Sequence, residues 1–109
     1  MTDTSGWPAP WVRAALELAI LGSLRTGPLH GYALAQSLQE RGFGLLRGGS
    51  LYPMLGRLEA DGHVRAAWVE GAGGPGRKDY TLTAGGRTHL TEGLAAWRGL
   101  TDELTKGGE

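Results

Sequence analysis

The chain has no cysteine, so disulfide staples and thiolate-bound metal centres are excluded. It has no run approaching the roughly 18 apolar residues of a membrane span. The longest apolar-rich stretch, residues 14–24, is broken by Glu17, Gly22 and Ser23. Net charge is also missing: 11 cations balance 11 acids, which argues against a uniformly basic nucleic-acid binder. The opening residues, MTDTSGWPAPW, contain no basic segment leading into an apolar one, so no secretion signal is expected. These absences predict a soluble cytoplasmic protein with no membrane partner. Its 109 residues suffice for one small domain with a modest core.

The charge that is present is unevenly placed. Residues 41–78 carry Arg41, Arg47, Arg57, Arg65, Arg77 and Lys78 against Glu59, Asp61 and Glu70. Residues 79–109 carry three cations against five acids. The middle is basic and the tail acidic, either because the middle faces an anion or as an ordinary mixed surface.

Hydrophobic periodicity gives the elements. Val12, Ala15, Leu16, Ala19, Ile20 and Leu24 recur at helical spacing, and Trp11, Ala14, Leu18 and Leu21 add a second apolar side. A helix apolar on most sides is buried on most sides, so this one needs a core on one flank and a partner on the other. Thr26-Gly27-Pro28 ends it. Tyr32, Leu34, Ala35 and Leu38 predict a short helix from about 31 to 41, closed by Gly42. Leu51, Met54, Leu55 and Leu58 then form one apolar face of a third helix that stops at Asp61-Gly62. Its start is open. With Ser50 as the N-cap, Pro53 lies in the tolerant first turn; with a start near Gly48, Pro53 removes an internal hydrogen bond.

From residue 64 the period changes to two. Val64, Ala66 and Trp68 alternate with Arg65 and Ala67, as do Tyr80 and Leu82 with Thr81 and Thr83. Between them GAGGPG reads as a longer loop, giving a two-stranded hairpin. Finally, Leu90, Leu94, Trp97, Thr101 and Leu104 follow steps of four and three, a narrow heptad seam. A single helix of this kind is marginal alone and calls for another helix to pack on.

Three short helices, a hairpin and a long helix predict a mainly α fold with a small β-hairpin wing: a winged helix-turn-helix. In that arrangement the third helix enters the major groove of double-stranded DNA and the wing meets the flanking backbone. The outward side of the third helix carries Ser50, Tyr52, Pro53 and Arg57. Helix N-termini favour phosphate, and Ser and Tyr hydroxyls donate to it. Ser50 reads equally as a plain cap. Arg77 and Lys78 beside a glycine-rich tip suit a phosphate backbone, or a solvated turn.

ALELAILGSL, HGYALAQSL, GSLYPMLGRLEADGHV and, above all, GRKDYTLTAGGR at the proper distance resemble the PadR family of bacterial transcription regulators, over residues 13 to the end. The single C-terminal helix resembles the family's short subfamily. The resemblance implies a homodimer that represses from a pseudo-palindromic operator and leaves it when a small effector binds. The first ten residues read as a flexible segment; the resemblance implies a DNA-binding domain 11–82 and a dimerisation helix 83–109 that crosses to the partner's first helix. By position, Tyr32, Ser50, Tyr52, Arg77 and Lys78 match family positions near DNA. Leu90, Leu94, Trp97, Thr101 and Leu104 would form the dimer interface. Trp97 matches an interface tryptophan that stacks on flat aromatic drugs in a pore between subunits, with Trp11, Leu18 and Leu94 lining the same region. A tryptophan on such a seam also serves as dimer core alone. Asp79 stands where the wing of the family often has an aromatic.

No catalytic site is expected. No nucleophile has an acid or base partner at motif spacing, and GAGGPGR lacks a following G-K-[ST] and joins strands. His30, His63 and His89 form no ligand-spaced pair. Each reads as a surface or cap residue unless folding brings them together, so neither metal nor other cofactor is expected. A second reading is a winged-helix module for protein–protein contact, since fold alone does not fix function.

Overall fold

The computed structural model describes residues 6–44 and 48–106. In chain order these form α1 (Ala9–Ser23), β1 (Leu29–His30), α2 (Gly31–Glu40), α3 (Gly48–Ala60), β2 (Val64–Gly71), β3 (Gly74–Leu82) and α4 (Ala84–Lys106). Ala9 and Pro10, expected in the N-terminal segment, already belong to α1. The Gly6 amide donates to the Gly42 carbonyl, and Trp7 packs on Phe43 with ring centres 5.4 Å apart.

Two of the three predicted glycine stops, Gly42 and Gly62, share one geometry, whereas α1 ends at Ser23, ahead of Gly27. After α2, the amides of Gly42 and Phe43 donate to the carbonyls of Gln39 and Leu38; after α3, those of Gly62 and His63 donate to Glu59 and Leu58. This is the paired bonding of a Schellman cap, which needs a left-handed residue. Gly42 and Gly62 supply it with φ of 96° and 80°. The motif also fixes where His63 leaves the helix. The C-terminal turn of α1 is closed by a distant residue: the Arg41 guanidinium donates to the Ala19 carbonyl, 3.1 Å away, and to Ser23 Oγ.

The start of α3 at Gly48 answers the question left by the sequence. Ser50 lies within the helix instead of capping it, and Pro53 is internal. The proline deprives the Gly49 carbonyl of its helical donor. The inward face is as predicted: Leu51, Leu55 and Leu58 are fully buried and Met54 packs beside them. They meet Leu16, Ile20 and Leu21 of α1, Leu34 and Leu38 of α2, Val64, Tyr80 and Leu82 of the sheet, and Leu90 of α4. Leu90, expected on the seam between subunits, is thus taken up by the chain's own core.

The hairpin differs from expectation in three ways. First, β1 adds a third strand, antiparallel to β3, with Leu29 opposite Tyr80 and His30 opposite Asp79. Two residues are too few to show a period. Second, the expected long loop shrinks to Ala72 and Gly73, because the strands continue through most of the glycine-rich run. Between the pairs Val69–Arg77 and Gly71–Gly74 the register shifts, so Pro75 and Gly76 oppose Glu70 alone, as in a β-bulge. Third, Trp68 does not continue the buried alternation of Val64 and Ala66 but is 65% exposed. The wing projects beyond the helices there, and the indole covers Gly76 instead, leaving 2.6 Å to where a Cβ would stand.

Thr83 begins α4. Its hydroxyl accepts the Gly86 amide at 2.9 Å, as an N-cap does, and donates to the Gly62 carbonyl at 2.7 Å. Its own amide donates to the His63 carbonyl. Gly86 lies so close to that carbonyl that a Cβ would collide with it. Gly93 lets α4 cross α1 closely, since a Cβ there would come within 2.7 Å of Leu18. Leu94 and Trp97 continue the contact with the α1 side, and farther along α4 Leu100 and Leu104 are exposed.

Candidate nucleic-acid interface

A groove of about 540 Å³ runs between the outer side of α3, the start of α2 and the wing. Tyr52, Gly56 and Glu59 of α3 form one wall, His30, Gly31 and Tyr32 the second, and Arg77, Lys78 and Tyr80 the third. The structure thus brings together Tyr32, Tyr52, Arg77 and Lys78, which the sequence selected from three separate segments.

The position of Tyr52 depends on a residue that sequence reasoning passed over. The Tyr52 phenol rests on the α carbon of Gly31: a Cβ there would overlap the hydroxyl and stand 2.7 Å from Cζ. Gly31 is buried while Tyr52 stays half exposed, so the ring is supported on one side and open on the other. Beside it, Tyr32 is 72% exposed and stacks on His30, with centres 6.4 Å apart and planes 15° from parallel. The first turn of α2 has neither an acidic residue nor a side-chain cap, so its free amides favour an anion.

The wing cations differ from each other. Arg77 Nε donates to Asp79 Oδ1 at 3.1 Å, so part of its charge is compensated within the strand. Lys78 lies across from Trp68 and, among the described residues, meets no carboxylate. Both are exposed, on opposite faces of β3. Tyr80 closes the floor of the groove. Burial holds its hydroxyl pKa above the ordinary value of 10.0, helped by the negative charge of Glu59 and then by Tyr52. Pro53 and Arg57 are exposed on α3; Arg57 Nη2 is 3.1 Å from Met54 Sδ. The side chain of Ser50 lies outside the described residues. Trp68, across from Lys78, is exposed but is not among the residues that line the groove.

The residues expected around an effector fall into two adjoining hollows. Trp7, Trp11, Val12, Ala15, Phe43 and Trp97 line one of about 230 Å³. Leu18, Gly22, Arg41, Leu90, Leu94 and Trp97, among others, line one of about 160 Å³. Trp97 borders both, and Trp11 is 64% exposed. Thr101 and Leu104, expected on the same seam, are exposed on the C-terminal half of α4.

The histidines are not all isolated. His63 and His89 stack with ring centres 4.0 Å apart, and His89 Nε2 is 3.3 Å from Glu17 Oε2. That approach was hidden in the sequence because its members lie on three different elements.

Residues 20–92 match the family described as the transcriptional regulator PadR-like family. The chain is 38% identical to the transcriptional regulator Rv3488 of Mycobacterium tuberculosis over 95 residues, covering 87% of each. Its fold is similar to that of a PadR family transcriptional regulator from Eggerthella lenta, with a TM-score of 0.82 and 35% identity over 89% of this chain and 84% of that one. It is also similar to Bacillus subtilis PadR, solved in complex with operator DNA, with a TM-score of 0.67 and 32% identity; 73% of this chain matches 45% of that longer one.

Proposed function

Because the chain belongs to the transcriptional regulator PadR-like family, we propose that it binds operator DNA as a homodimer and represses transcription from it in the cytoplasm. The observation that carries this reading is the groove itself. Tyr52 on the outer side of α3, Tyr32 at the uncapped start of α2, and the stretch of the wing that carries Arg77 and Lys78 all border one opening. Its walls offer hydroxyl donors, free amides and cations, the groups that hold phosphate oxygens. With α3 in the major groove, Pro53 and Arg57 on its exposed side reach base edges or the adjacent strand, and Ser50 belongs to the same turn.

The B. subtilis relative was solved with operator DNA, which supports the same partner here. Two copies joined through α4 would present two such grooves to a pseudo-palindromic site. The aromatic hollow around Trp97 suits a planar apolar effector, because an indole stacks on a flat ring with a gain of about 0.5–1.5 kcal/mol beyond its area. Release of the operator on effector binding is the regulatory part of the proposal.

A gel-shift with DNA from upstream of the protein's own gene tests the reading. The logarithm of the affinity should fall linearly with the logarithm of salt concentration, as phosphate contacts release counterions. Absent or salt-insensitive binding would favour a protein-interaction module.

A further inference from the structure

Glu17 of α1, His63 at the exit of α3 and His89 of α4 meet at one point, away from the residues that line the groove. One ligand atom from each lies within 4.8 Å of the other two. All three side chains are half-buried, which keeps a path to solvent while lowering local hydration. One edge of the triangle, His89 Nε2 to Glu17 Oε2, is already 3.3 Å. Donors about 2.0–2.1 Å from a tetrahedral zinc ion stand about 3.3–3.5 Å apart, so that edge needs no adjustment.

A second, independent observation concerns His63. Its Nδ1 is buried and has no hydrogen-bond partner. A buried polar nitrogen without a partner is uncommon and unfavourable. The backbone offers it no relief, because it is pinned on both sides: the His63 amide donates to Leu58 in the helix cap, and its carbonyl accepts from Thr83. Only the side-chain torsions remain free. The imidazole planes are 11° from parallel, so their in-plane lone pairs do not converge as they stand. Binding one ion therefore requires the His63 ring to turn about its Cβ–Cγ bond while the Glu17–His89 edge stays as it is.

We propose that Glu17, His63 and His89 form a binding site for a divalent transition-metal ion of the zinc, cobalt and nickel class. Two imidazoles and one carboxylate are the donor set such ions take when a fourth position stays open to water or another ligand. Imidazole nitrogen disfavours magnesium and calcium, which prefer oxygen throughout. Once bound, the ion ties α1, the exit of α3 and α4 together at one point.

The test uses the untagged full-length chain. Isothermal titration with Zn²⁺ should give one ion per chain, and Co²⁺ should produce the visible absorption of a four-coordinate site. Glu17→Gln should weaken binding by about tenfold or more, and His89→Gln or His63→Ala should abolish the cobalt signal. His30→Ala should keep wild-type affinity. Circular dichroism without metal shows whether each variant is folded; the near-isosteric Glu17→Gln and His89→Gln keep the test open if His63→Ala is not. Three results would overturn the site: no Zn²⁺ or Co²⁺ uptake, which leaves only a ring stack and a histidine–carboxylate contact; uptake unchanged in folded His89→Gln; or equal uptake of Mg²⁺ and Ca²⁺.

Discussion

A hydrogen atom in place of a methyl group decides what Tyr52 can do. With any side chain at residue 31 the phenol would be displaced, because its hydroxyl and Cζ occupy the space of that Cβ. Gly31→Ala should therefore leave the helices intact, as alanine favours a helix over glycine by about 1 kcal/mol, and yet weaken operator binding. The loss of a hydroxyl bond to phosphate is about 1.5–3 kcal/mol, or about tenfold to a hundredfold in affinity. Tyr52→Phe should cost a similar amount, and the double variant little more than either alone; additive losses in a quantitative gel-shift would show that Gly31 does not act through Tyr52. Tyr80 makes a separate prediction. Its pKa is raised, chiefly by burial, so the folded state holds the proton more tightly than the unfolded chain does. The resulting stability is complete below about pH 10 and is lost as pH climbs from there through the folded-state pKa. Urea midpoints across that range should fall less steeply in Tyr80→Phe than in the wild type.

Among the elements, the wing departs furthest from a simple basic arm. Arg77 is tied to Asp79 at 3.1 Å, which leaves Lys78 as the better phosphate ligand. Arg77→Ala with Lys78→Ala should lower affinity for all DNA sequences and flatten the salt dependence, whose slope changes by about 0.9 for each phosphate no longer neutralised. Lys78→Ala alone should account for most of that change, and Asp79→Asn should steepen the slope by freeing Arg77. A salt series measured by fluorescence anisotropy distinguishes these outcomes; an unchanged slope in the double variant removes the wing from the interface. The elements also show what a sequence makes legible. The apolar face of α3 and the stops at Gly42 and Gly62 follow from local spacing and backbone geometry, and the structure has them where expected. The strand Leu29–His30 did not announce itself, because its partner lies fifty residues on and pairing is backbone chemistry. The groove residues were readable one at a time, but Gly31 and the His63–His89 stack became visible only when separate elements were in contact.

At the scale of the whole molecule, the chain is 61 Å in its longest dimension and 21 Å in its shortest. About half of α4, a helix about 34 Å long at 1.5 Å per residue, carries Leu100 and Leu104 to water. Trp11 and Trp97 are bare or half-bare on the adjoining side. A second copy would cover these surfaces. Trp97→Ala and Leu104→Glu should each shift the sedimentation of the purified protein toward the monomer, and Trp97→Ala should also abolish fluorescence quenching by a planar dye. Wild-type sedimentation in both variants would remove Trp97 and Leu104 from the proposed subunit contact.

The contact at Gly86 has a mechanical meaning. The first turn of α4 is seated on the peptide that leaves α3, with Thr83 bonded to both Gly62 and His63 and no room for a methyl group between. The start of α4 and the exit of α3 are therefore joined without slack, and a methyl group added at Gly86 would have to push the two apart.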